Sequence, residues 1–184
     1  MPSQSAIPDF YYAVFAFYEP GLCLLGAFGA FFDPKKVSFL FVNFSHAHVF
    51  RQTHDQQAPW PSDVPPDGPL PRATLVTLLQ LAHVCALLSV LNIFILGAAR
   101  KHLHSHPALQ EKIVGALLTP LVFGDVMHLY VTLWALGEDK WETRRYTPML
   151  WTTLILGLSL LLPRAAWHLG IGRYVHKRDG VTEK

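Results

Sequence analysis

A chain of 184 residues that is 51% hydrophobic, has only 15% charged side chains and shows a mean hydropathy of +0.27 is not composed like a soluble domain, for which roughly 25% charge is usual. Its formal net charge of +2 and its scattered basic residues argue against a nucleic-acid partner. Cys23 and Cys85 both lie in apolar stretches, where they read as small core residues and not as a disulfide or a metal pair.

The first apolar run covers residues 10–32, FYYAVFAFYEPGLCLLGAFGAFF, with Glu19 as its one charge. No Lys or Arg precedes it, so it reads as a retained membrane helix and not as a cleavable signal. Gly26 and Ala30, four apart, offer a small-residue strip for close helix packing. A short apolar piece at 37–44, VSFLFVNF, is expected to be interfacial or re-entrant, and a polar, Pro-rich loop occupies 55–71. The second run, 73–99, has no Asp, Glu, Lys or Arg but contains Gln80, His83 and Asn92. The third, 113–136, contains Asp125 and, one turn on, His128. The fourth, 147–169, ends on Arg164, Trp167 and His168, where Arg164 is expected to snorkel to the interface. A polar tail, 170–184, follows.

About 20 apolar residues cross roughly 30 Å of hydrocarbon as a helix. The predicted fold is therefore all-α, an integral membrane four-helix bundle forming a single domain over 1–184. Pro20 and Pro120 remove helix hydrogen bonds and predict kinks in helices 1 and 3. Trp141, Trp151, Trp167, Tyr146 and Tyr174 fall near the predicted edges and read as an aromatic belt. With four spans, eight basic residues lie on the side of the termini, Arg164 among them, against seven on the other. This weakly predicts cytoplasmic termini.

The functional signal is charge where charge is costly. A carboxylate or imidazole in hydrocarbon costs a few kcal/mol or more, yet Glu19, Asp125, His128 and His83 all fall at similar predicted depth. Helix direction alternates, so the four are expected to meet in one layer. Low dielectric disfavours a carboxylate, and a neighbouring imidazolium favours it. Asp125 with His128 can then hold one shared proton, an acid and a base within one turn. Gln80, Asn92, Tyr18, Tyr130 and Trp134 are the expected lining of the pocket. The same four residues can equally form a static clasp between helices. The histidines of HLHSH (His102, His104, His106) and SHAH (His46, His48) lack the spacing of a di-iron oxygenase and read as interfacial, so no metal and no cofactor is called for.

The pieces FYYAVFAFYEP, GAFGAFFDPKK, LLQLAHVCALLSVLN and FGDVMHLYVTLWALG together resemble a family of small four-span fungal membrane proteins that carries a domain-of-unknown-function label. The likeness covers most of the chain outside the Pro-rich loop and the tail. Its most specific elements are Glu19-Pro20, Gln80-Leu81 and Gly124-Asp125 with His128-Leu129-Tyr130. In plan, short helices with buried acids, the chain is also similar to the emopamil-binding sterol-isomerase superfamily and the fungal membrane terpene cyclases. That architectural resemblance implies isomerase or cyclase chemistry without matching motif residues one by one.

The expected function is a membrane-embedded isomerase or cyclase acting by acid–base chemistry on a terpenoid, sterol or related lipophile in the endoplasmic reticulum membrane. Asp125 would be the acid, His128 its partner, Glu19 the second carboxylate and His83 an orienting or relay group. The partners are then membrane lipid and a lipophilic substrate, with a second copy of the chain as a further candidate partner. One alternative is a non-catalytic binder or scaffold for a lipophile or a partner enzyme. Another is a proton-coupled transporter, which with four spans would need a homodimer.

Overall fold

The computed structural model describes residues 5–32 and 71–179. The 37–44 piece, His46, His48 and the Pro-rich loop up to residue 70 lie outside the described residues. Within them the chain is helical and has no strand. Helix α1 is continuous but of mixed pitch: α from Asp9–Ala13, π over Val14–Tyr18, and α again over Glu19–Phe32. Helices α2 (Arg72–His102), α3 (Pro107–Ala135) and α4 (Pro148–His168) are the other long ones, and α5 (His176–Asp179) is a single turn. Two 3-10 turns, Gly137–Trp141 and Thr143–Arg145, join α3 to α4.

Four helices are long and apolar enough to cross a membrane. Their outward faces fit that solvent. Phe94, Phe123 and Trp134 are each about 70% exposed, and in water so much contiguous apolar surface would drive association. The chain is an integral membrane bundle, as composition predicts.

Helix ends carry the expected local signals. Pro107 and Pro148 occupy first-turn positions, where a missing N–H is harmless. Thr147 caps α4 by accepting from Leu150 N at 3.1 Å. Arg100, Lys101 and His102 fill the last turn of α2, complementing its dipole. Because Pro107 starts α3 six residues before the apolar run, Gln110 and Glu111 are helical, and the loop from α2 is only four residues long. Beyond α4, Gly170 sits at φ +73° while Ile171 N bonds Ala166 O at 3.0 Å and Gly170 N bonds Trp167 O at 2.9 Å. This is a Schellman closure that only glycine makes without strain.

The π segment has a local cause. Glu19 N bonds Val14 O, five residues back, and the next residue, Pro20, has no N–H to continue either register. The buried positions Tyr11, Phe15 and Glu19 recur every fourth residue. In α geometry each such step drifts by about 40°, and the wider π turn takes up that drift.

Two small-residue contacts bring helices close. Ala27 and Ala30 of α1 pack on Ala82 of α2, with Ala86 against them. The close strip is thus Ala27–Ala30 and not Gly26–Ala30, for a Cβ at Gly26 would meet nothing within 4 Å. Gly157 of α4 lies against α3, where an added Cβ would come 2.9 Å from Leu129 Cδ2.

The end of the bundle that holds both described termini is closed by a collar of satisfied polar groups. Buried Gln110 accepts from Ser5 Oγ (2.8 Å) and Ala6 N (2.9 Å) and donates to Ala99 O (3.1 Å). Trp167 Nε1 donates to Ala6 O at 2.8 Å, and Tyr11 OH donates to Ile171 O at 2.7 Å. Arg173 donates to Trp167 O at 2.6 Å and Glu111 Oε1 at 2.7 Å, its guanidinium 3.9 Å from the Trp167 ring centroid. Trp167 therefore belongs to the collar and not to the aromatic belt. Tyr146 is also buried, donating to Lys140 O at 2.6 Å. Trp141 and Trp151 are exposed, where a belt requires them.

Candidate functional site

Below the collar, three helices place charged side chains in one layer. The Arg164 guanidinium of α4 lies between two carboxylates: Nη1 donates to Asp125 Oδ2 on α3, and Nη2 faces Glu19 Oε1 on α1 in an ion pair. Arg164 is 1% exposed and Glu19 7%, so these charges are removed from any solvent. Phe15 of α1 closes one side, its ring centroid 5.7 Å from Arg164 Cζ, within cation–π range. Asn92 of α2, 1% exposed, interacts with the Glu19 side chain. All four long helices thus contribute to the layer.

Arg164 does not snorkel. Side chains on a helix lean toward its N-terminus, and α4 begins at the opposite end of the bundle. An Arg one turn before the end of α4 therefore reaches inward, toward the two acids. Removing it from the terminal side leaves seven basic residues against seven, so the charge bias for orientation disappears.

The layer is incompletely bonded. Glu19 Oε2, Asn92 Oδ1 and Arg164 Nε are buried without a hydrogen-bond partner, and Arg164 Nη2 meets Glu19 without hydrogen-bond alignment. Orphaned buried polar atoms are uncommon in native proteins, and each calls for an explanation.

The predicted residues divide. Glu19, Asp125 and Asn92 are brought together. His128 is exposed and stands beside Asp125, its ring 3.6 Å from the position a Cβ would take on Gly157. His83 does not join them. The buried face of α2 runs through Ala82, Ser89, Asn92, Leu96 and Ala99, and His83 is one residue, about 100°, off that line. It lies with Gln80 in a separate open groove of about 650 Å³ between α1 and α2, lined also by Phe31, Val76, Leu79 and Val84. Tyr18 is exposed, its hydroxyl hydrogen-bonded to that of Ser159 at 3.1 Å. Tyr130 and Trp134 face outward at 58% and 69% exposure and stand apart from the charged layer.

Arg164 is the member that sequence reading placed elsewhere. Its signal was present: two acids at membrane depth call for a cation, and Arg164 alone among the basic residues sits inside a leucine-rich run, LSLLLPRAAW. Cys23 and Cys85 are free thiols on facing helices near Glu19, and among the described residues no cluster of His, Cys, Asp or Glu suits a metal ion.

No curated protein and no solved structure matches the chain. Matching over residues 4–174, it belongs to the family described as Domain of unknown function (DUF7704).

Proposed function

We propose that this protein is a membrane-embedded isomerase or cyclase that acts by proton transfer on a lipophilic alkene of the terpenoid or sterol type. What supports the reading is the charge count of the buried layer: two carboxylates share one guanidinium. With both acids ionised the layer carries a net negative charge in hydrocarbon, so it favours binding one proton. A proton donated from a carboxyl to an alkene carbon leaves a carbocation and a carboxylate. Loss of a proton from a neighbouring carbon to that carboxylate migrates the double bond and restores the acid, and attack by a second alkene before that loss closes a ring. The carboxylates and the Phe15 face offer the negative potential such a cation needs. No cofactor enters this cycle. The reading carries with it a fungal setting and the endoplasmic reticulum membrane.

The test is turnover in D₂O. Membranes containing the protein, given polyprenyl or sterol alkenes, are expected to return isomerised or cyclised product with deuterium on carbon. Asp125→Asn is expected to lose on the order of 10²–10⁴-fold while remaining folded. Undiminished turnover by Asp125→Asn removes Asp125 from the mechanism, and absence of any product from a broad alkene panel sinks the reading.

One observation favours a non-catalytic alternative. The α1–α2 groove is apolar apart from Gln80 and His83, a composition suited to holding a lipophile by its chain with one or two polar contacts. Under that reading a lipid co-purifies with the protein and is released unchanged by Leu79→Trp.

A further inference from the structure

The buried layer leaves two acceptors and one donor, Arg164 Nε, without a partner, while Arg164 Nη2 lies against Glu19 Oε1 and leaves Oε2 unused. Glu19 Oε2 and Asn92 Oδ1 are both inaccessible and both unpartnered, and they belong to side chains that interact. Acceptors left unpartnered in hydrocarbon are unfavourable. One proton on Glu19 Oε2 converts that atom into a donor and offers Asn92 Oδ1 the partner it lacks. It also brings the layer to neutrality. A proton needs no cavity, so the existing packing accommodates it.

The other polar groups around Glu19 offer no better host. The Asp125 carboxylate on α3 accepts from Arg164 Nη1, has the His128 ring beside it and is less buried than Glu19. Ser89 on α2 donates its hydroxyl to Cys85 O at 2.9 Å. Cys23 on α1 and Cys85 on α2 stand near as thiols. His83 opens onto the groove and not onto this layer.

We infer that Glu19 rests as the protonated carboxyl of the layer, its O–H donating to Asn92 Oδ1, while Asp125 is the ionised partner of Arg164. This deepens the acid–base reading by moving the proton from Asp125 to Glu19. It rests on that reading's charge count and not on turnover.

The test is difference infrared spectroscopy of the purified full chain in lipid vesicles at neutral pH. Wild type is expected to show a protonated-carboxyl C=O band that shifts to lower frequency in D₂O. Glu19→Gln is expected to abolish it. Asn92→Leu is expected to move it to higher frequency, since the carboxyl loses its hydrogen-bond acceptor. His128→Ala is expected to leave it in place. Wild type without such a band overturns the inference even if every variant fails to fold, as does a band that survives Glu19→Gln or ignores Asn92→Leu. A band with no turnover on any alkene upholds this assignment and defeats the enzyme reading; turnover with no band does the reverse.

Discussion

Arg164 and Arg173 stand nine residues apart, both almost wholly buried and both opposite a glutamate, yet their surroundings differ in kind. Arg173 has one carboxylate, two backbone carbonyls and an indole face, so its charge is balanced and both its Nε and Nη1 donate. Arg164 has two carboxylates, an unused Nε and an unaligned Nη2. The collar shows what a purely structural clasp looks like in this fold. The deeper layer departs from it in the two respects, surplus acid and orphaned atoms, that stability alone does not call for.

The sharpest way to break the contrast is to remove each arginine's role in turn. Arg164→Met leaves two acids without a cation and is expected to destabilise the protein by about 3–5 kcal/mol, read as the midpoint of denaturant-induced unfolding in mixed micelles. Adding Glu19→Gln and Asp125→Asn to it should restore most of that loss, because a neutral layer has no charge to compensate. Failure of the triple variant to recover would mean that Arg164 acts by shape and not by charge. In the collar, Gln110→Leu strands the Ala6 N–H, while Ala99 C=O keeps its bond from Leu103 N, and should cost about 1–3 kcal/mol for the buried donor left unpaired, without moving the carboxyl infrared band. A shift in that band would join the two regions into one network. Gly170→Ala forces a left-handed φ on a residue with a Cβ, worth about 1–2 kcal/mol, and the added methyl presses on Val175 Cγ2 at 2.7 Å. Faster proteolysis of the segment after α4 is the expected readout. Smallest of all, Asp9→Asn removes a pair whose acid is 91% exposed and should change stability by less than about 1 kcal/mol.

The helices were legible because four apolar runs of spanning length leave few other folds. The two acids were legible for the same reason: no packing argument excuses them at that depth. Arg164 was hidden by its position one turn from the end of the fourth run, where a long cation usually turns outward, and only the direction of α4 shows that it turns in. Depth counted along apolar runs alone misses where a helix begins. The first turns of α3 are helical but polar, since Gln110 and Glu111 serve the collar, so the middle of the run is not the middle of the helix. His83 was misplaced by angle and not by depth, since Ala82 next to it takes the inward face. Trp167 was read as belt because an indole near a membrane edge usually is, and nothing in the sequence announces that Ala6 O waits for its N–H.

The wide turn at Val14–Tyr18 has a consequence for any redesign of the first helix. Letting that stretch relax to ordinary pitch at its present length would leave every functional group chemically intact. It would, however, rotate Glu19 relative to Tyr11, and with it all that follows, by roughly 80°. Tyr11 could then keep its grip on the backbone at Ile171, or Glu19 could keep its aim on the guanidinium, but one shaft could no longer do both. The segment works as a fixed angular offset between an anchoring end and a charged midpoint.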